Sequence, residues 1–218
     1  MITITIILMI IVSFLSFCST DHVREFSCGK LYYRTFFMDA KRDVLYVGAM
    51  DKVYRVGLTN INRTRCDYDS ISLEPSNVNS CISKGKTGYF DCRNHIRVIQ
   101  AIEGNKVYVC GTNAHAPKDW ILHSNLTHLH PHELYPGIGN AIAKCPFDPD
   151  DNATAVWVEN GNPGGIPGLY SGSVAEFTKA DTVIFRTDLY NTSSGEKVHP
   201  FKRTIKYDSK WLDSEYPW

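Results

Sequence analysis

Three short phrases recur along this chain at a fixed interval. Leu45-Tyr46-Val47-Gly48, Val107-Tyr108-Val109-Cys110-Gly111 and Leu169-Tyr170-Ser171-Gly172 resemble one another, and their tyrosines stand 62 residues apart both times. A period of that size, built from β-type runs, points to propeller blades, in which each small sheet needs neighbours to cover its faces. The first phrase lies in an apparent antiparallel meander of three runs, Tyr33 to Met38, Asp43 to Gly48 and Lys52 to Leu58, with polar turns between them. His95 to Ile102 precedes the second phrase as the first run precedes the first phrase. A further β run follows each phrase: Val53 to Leu58, Ala141 to Cys145, and Thr182 to Arg186. Glycine after the aromatic strand suits a close backbone approach or a bulge. No long stretch keeps a helical period. The expectation is an all-β chain forming a partial β-propeller of about three four-stranded blades. Propellers typically close with about 4–8 blades, so three leave two open faces and unpaired edges.

Charge narrows the function classes. Among 218 residues, 23 Lys plus Arg balance 23 Asp plus Glu. That balance gives no electrostatic ground for nucleic-acid binding or for a polybasic membrane surface. Hydrophobic residues at 43% argue against a disordered chain.

Residues Ile2 to Phe17 are apolar apart from Thr3, Thr5, Ser13 and Ser16, and small residues stand at Ser16 and Cys18. This reads as a secretory signal peptide, residues 1–18, although no Lys or Arg precedes it. The alternative, an uncleaved anchor, is short against the roughly 20 apolar residues of a membrane span. A secreted, extracellular chain with no membrane insertion after signal removal is expected.

Cysteine content agrees. Seven cysteines less Cys18 leave six, which in an oxidising compartment form three disulfides with about 15 possible connectivities. Cys81 and Cys92 flank the turn-like Lys84-Gly85-Lys86-Thr87-Gly88, while Cys110 and Cys145 end successive strand-like runs. Cys28 and Cys66 remain by elimination, as the least constrained pair. No C-x-x-C spacing favours structural zinc. Four sequons, beginning at Asn62, Asn125, Asn152 and Asn191, lack proline in the middle position and are expected to carry N-glycans.

Several longer phrases carry a family resemblance. They include Leu45-Tyr46-Val47-Gly48-Ala49, Cys92-Arg93-Asn94-His95-Ile96-Arg97-Val98, Val107-Tyr108-Val109-Cys110-Gly111-Thr112 and Lys144-Cys145-Pro146-Phe147-Asp148-Pro149. Ile184-Phe185-Arg186-Thr187 and Tyr207-Asp208-Ser209-Lys210-Trp211-Leu212 continue the series. In order and spacing the chain resembles the semaphorin family, specifically the N-terminal part of the sema domain. Residues 161–165 and 188–193 look most like the secreted invertebrate class 2 members.

The resemblance implies a seven-bladed propeller that binds the ectodomain of a plexin receptor in axon guidance, with a homodimer in full-length relatives. It also implies a Cys81–Cys92 pair and a pair using Cys110. Many relatives place the partner of Cys110 about nine residues on; here that region reads Asp119-Trp120-Ile121, so Cys145 inherits the role. Residues 19–212 then read as the N-terminal portion of the propeller. Residues 213–218 depart from the family pattern and read as a truncated gene model or splice variant.

Other chemistry is weaker. His128-Leu129-His130-Pro131-His132-Glu133 alternates imidazoles as a metal site would, but Pro131 places it in a loop. No G-x-S-x-G elbow occurs, and Gly137-Ile138-Gly139 lacks the third glycine of a dinucleotide loop. Two alternatives stand beside this reading: a non-functional fragment that lacks the blades needed to fold, and a secreted propeller glycosidase, for which no sialidase-type box is present and spacing nominates no paired carboxylates. The expectation is therefore recognition without catalysis or cofactor. Within Phe201 to Trp211, charge alternates with apolar residues. Tyr207, Asp208, Lys210 and Trp211 are the candidate receptor-binding residues, since charge beside aromatic rings is typical of interface anchors.

Overall fold

The computed structural model describes residues 23–133, 135–191 and 193–204. The expected signal segment, the 213–218 tail, and Tyr207, Asp208, Lys210 and Trp211 lie outside the described residues.

Antiparallel sheets dominate. The first contains β1 (Thr35–Asp39), β2 (Val44–Gly48), β3 (Lys52–Gly57) and β4 (Ser70–Ser72), paired in chain order. Its turns use acidic residues that tolerate the left-handed region: Asp43 has φ 53° and Asp51 has φ 62°. The second sheet contains β5 (Ile96–Ile102), β6 (Lys106–Gly111) and β7 (Lys118–His123). Gly104 and Asn105, both at positive φ, close its first hairpin in the manner of a primed turn. The third sheet runs β13-β10-β9-β8, formed by β8 (Thr154–Val158), β9 (Gly168–Val174), β10 (Thr182–Arg186) and β13 (Lys202–Arg203). A small hairpin, β11 (Leu189–Tyr190) and β12 (Lys197–His199), is inserted before its last strand. The one α-helix among the described residues, α1 (Val78–Ser83), carries Cys81.

First strands lie beside first strands: β1 runs against β5, and β5 against β8. The Thr35 hydroxyl donates to the Ile96 carbonyl at 2.8 Å, and the Gln100 amide donates to the Ala155 carbonyl at 3.3 Å. The sheets therefore radiate from one side, which is the blade arrangement of a propeller. The chain is all-β and forms a partial propeller.

Two sequence expectations need correction. Ala141 to Cys145 is not a strand but a turn, and the strand that follows the second phrase is β7. The apolar run there belongs to the core through Ala141 and Cys145, without backbone pairing in a sheet. The middle blade accordingly has three described strands rather than four, with an isolated bridge from Leu122 to His128 at its outer side.

The repeat has a structural meaning. Tyr46, Tyr108 and Tyr170 each sit on the second strand of a sheet, on β2, β6 and β9. Tyr46 faces the second blade, in a cluster with Ile96, Ile99, Val107, Val109 and Leu122, and its hydroxyl donates to the Ser124 carbonyl at 2.7 Å. Tyr108 faces the third blade, in a cluster with Leu169 and Cys145, and lies 6.0 Å from the ring of Trp157. Both are closed off, at 0% and 1% exposure. By the same alternation Tyr170 faces away from the second blade, and it is half-buried.

Three disulfides pin the margins: Cys28–Cys66, Cys81–Cys92 and Cys110–Cys145, with Cα separations of 5.6, 5.7 and 6.2 Å. The first ties residues 23–34 onto the far face of the first blade, where Phe26 and Leu31 pack against Tyr54 and Val56.

Candidate binding surfaces

Polar side chains that hold the blades together also shape their loops. Asp51 accepts from the Asn94 backbone at 2.7 Å and from Arg93 Nε at 2.6 Å. Asn94 then donates to the Leu73 carbonyl at 2.7 Å and accepts from the Asn113 backbone at 2.9 Å. This fixes the Cys92 to Val98 phrase between the first two blades. Gly111 is required there, because a Cβ would fall 2.2 Å from Asn94 Oδ1.

Nearer the inner strands, Arg34 and Arg97 both donate to the Pro149 carbonyl. Arg97 also reaches the Asp151 carbonyl at 2.8 Å. The turn that accepts these bonds is acidic. Burial alone would raise the Asp148 carboxyl, but the Asp150 amide together with Lys179 and Lys86 outweighs it and holds Asp148 at about 2. Lys179 in turn is raised by its contacts with Asp151 and Asp148. The phrase Lys144 to Pro149 thus joins all three blades.

Between the second and third blades a cleft of about 900 Å³ opens. Its floor is the apolar seam of Tyr108, Trp157 and Leu169, and its walls are the loop before β8 and the β11–β12 hairpin. A buried pair steadies the loop. Lys144 Nζ lies 2.6 Å from Asp119 Oδ2 and donates to the Gly137 carbonyl at 2.8 Å. Asp119 also accepts from the Tyr108 hydroxyl at 3.0 Å and from the Gly139 backbone at 2.6 Å. Burial and the adjacent Asp119 charge push the Tyr108 phenol well up. The Tyr190 ring closes the other side against Gly137, where a Cβ would come within 2.8 Å and φ is 75°.

The histidine run occupies a loop beside this cleft. His130 and His132 stack at 5.5 Å with nearly parallel rings, and Glu133 lies 3.2 Å from His123 Nε2. Stacked rings present their faces to each other rather than nitrogens to one point. Among the described residues no group of three or more His, Cys, Asp or Glu is placed to hold a metal ion.

The sequon asparagines Asn62, Asn125, Asn152 and Asn191 are all exposed. The outer face of the third blade carries exposed apolar side chains, Val156 at 53% and Ile184 at 48%, on either side of the Tyr170 strand. Sequence reasoning did not find the Asp119–Lys144 pair or the cleft. The one signal was Lys144 inside a phrase that carries the resemblance noted above. No helix among the described residues is long and apolar enough to cross a membrane.

Comparison with known proteins follows the geometry. No family model matches the chain. It is 66% identical over 195 residues to Semaphorin-2A of Schistocerca gregaria and 66% identical over 196 residues to Semaphorin-2A of Drosophila melanogaster. Those alignments cover 89% and 88% of this chain but 28% and 27% of the relatives. Solved Drosophila Semaphorin 2a matches with a TM-score of 0.83 at 65% identity, over 88% of this chain and 32% of that one. Drosophila Semaphorin 1a, extracellular domains 1-2, shares the fold with a TM-score of 0.60 over 83% of this chain and 30% of that one, at 24% identity. The chain spans about a quarter to a third of the relatives it matches. Identity of this level across nearly the whole chain, with the same arrangement of blades, makes this a semaphorin-family sequence of the class 2 invertebrate kind.

Proposed function

We propose that the chain acts in extracellular signalling, as the N-terminal part of a secreted semaphorin ligand that binds the ectodomain of a plexin-type receptor. Its role is axon guidance of the chemorepellent type, by recognition rather than catalysis and without a cofactor. One observation carries this reading: 66% identity to Semaphorin-2A over 195 residues, with the blade architecture retained. Drosophila Plexin A has been solved in complex with Semaphorin 1b, and that structure shares the fold with a TM-score of 0.51 over 72% of this chain. It supports a plexin as the kind of partner.

In this reading residues 1–18 direct secretion, and N-glycans on Asn62, Asn125, Asn152 and Asn191 keep the surface soluble. Disulfides and the Asp51 and Asp148 networks hold the blades, while the connecting loops present contacts. Tyr207, Asp208, Lys210 and Trp211 supply charge and aromatic anchors.

The test is binding of the secreted chain to an immobilised insect plexin ectodomain. Saturable binding that weakens in Trp211→Ala and Lys210→Glu supports the reading. Absence of binding by a monodisperse, disulfide-complete chain contradicts it.

A further inference from the structure

We propose that an N-linked glycan on Asn191 folds back into the cleft between the second and third blades, where it acts as a wedge between the loop before β8 and the β11–β12 hairpin. The inference rests on the secreted reading above and extends it to one sequon. Asn191 lines the cleft; Asn62, Asn125 and Asn152 are not among its lining residues. The Asn191 side-chain oxygen accepts from the backbones of Ser193 at 2.8 Å and Ser194 at 3.2 Å. Its amide nitrogen, the atom that carries a glycan, takes no part in that turn.

The lining has the chemistry that a pyranose needs. Sugar rings present apolar C–H faces and a rim of hydroxyls. The cleft offers the rings of Tyr135, Tyr190 and Trp157, with Lys106, Glu133 and Asp188 among them as charged hydrogen-bonding groups. The cleft's volume, about 900 Å³, lies within the range of sites that enclose most of a small ligand, roughly 300–1,000 Å³. A glycan attached at the rim is present at high effective concentration, so weak contacts suffice to hold it there.

The experiment uses the secreted full chain from insect cells with mannosidase processing blocked, so that every occupied sequon carries the same oligomannose glycan. The native protein is treated with an endoglycosidase that cuts between the two core N-acetylglucosamines, and release is followed site by site by mass spectrometry. The expected result is release from Asn191 about tenfold slower than from Asn125, equivalent to a modest binding contact. Denaturation should abolish the difference. Tyr135→Ser, on the wall opposite the sequon, should speed release at Asn191 alone; because Tyr135 also packs against the core beneath the cleft, digestion is run well below the melting temperature of the deglycosylated variant. Equal native rates at the two sites overturn the proposal. So does slow release that persists in Tyr135→Ser, or an unoccupied Asn191 beside three occupied sequons. A chain bare at all four sites overturns both this proposal and the reading of secretion.

Discussion

Tyr46 and Tyr170 stand at the same place in two sheets built to the same plan, yet only one is sealed. Tyr46 is shut in by the second blade and hydrogen-bonded to Ser124 across the seam. Tyr170 is half-buried, and its hydroxyl donates to Asn162 of the preceding loop within its own blade, at 2.6 Å. The first blade is covered on both faces, by the second blade on one side and by residues 23–34 on the other. Among the described residues the third is covered on one, with Val156 and Ile184 exposed on the other. The comparison teaches that a blade's sequence prepares a face and its neighbour buries it. Local pattern makes the strand; the next repeat supplies the packing energy.

The largest expected contrast is at the repeat tyrosines themselves. Tyr46→Ala and Tyr108→Ala should each cost about 3–5 kcal/mol, as deletions of buried aromatic rings do. Tyr170→Ala should cost about 1 kcal/mol, because less of its ring is withdrawn from water. Urea unfolding of the secreted chain measures all three, and equal losses would break the comparison. Next come the charges of the two seams. Asp119→Ala leaves Lys144 buried without its partner and should cost about 3–5 kcal/mol. Asp150→Ala removes a largely exposed pair with Arg34 and should cost no more than about 1 kcal/mol.

Glycine sharpens the comparison further. Gly48 and Gly172 each follow a repeat tyrosine by two residues. A Cβ on Gly48 meets Ile96 of the next blade at 2.7 Å, whereas one on Gly172 finds its nearest neighbour at 3.4 Å, an ordinary contact with Thr154. Gly48→Ala should destabilise by about 1–3 kcal/mol and Gly172→Ala by under about 0.5 kcal/mol, as read from shifts in melting temperature.

The last contrast is a pH dependence. Asp148 titrates at about 2 in the folded chain, below its ordinary 3.8. Its folded pKa is depressed, so its contribution is fully present above pH 3.8 and is lost as pH falls through about 2. Asp148→Asn should flatten that part of the acid limb of stability, measured against the same limb in the unaltered chain.

Much of this was legible in the residues. The meander from Tyr33 to Leu58 reads directly from alternating β-type runs and short turns, and β1 to β3 lie within it. The 62-residue spacing marks the second strand of each blade because every repeat must offer the same side chain to the next. Ala141 to Cys145 misled because an apolar run ending in cysteine looks like a strand. Its burial comes from the seam and the Cys110 link, not from sheet pairing. β7 was missed because Asp119 interrupts its apolar pattern, and Asp119 is there to hold Lys144 and Tyr108. The cleft was invisible to sequence reading because its walls come from a loop and a hairpin some 50 residues apart. No local spacing records that meeting.

Hydrogen exchange followed by mass spectrometry tests the central claim most directly. On the secreted chain at neutral pH, backbone amides of β2 and β6 should exchange only with global unfolding. Those of β9 and β10 should exchange through a smaller local opening, because one face of their sheet lacks cover from a neighbouring blade among the described residues. Uniform protection across the three sheets, with β9 as slow as β2, would contradict the claim that each blade's tyrosine face is secured by the blade that follows.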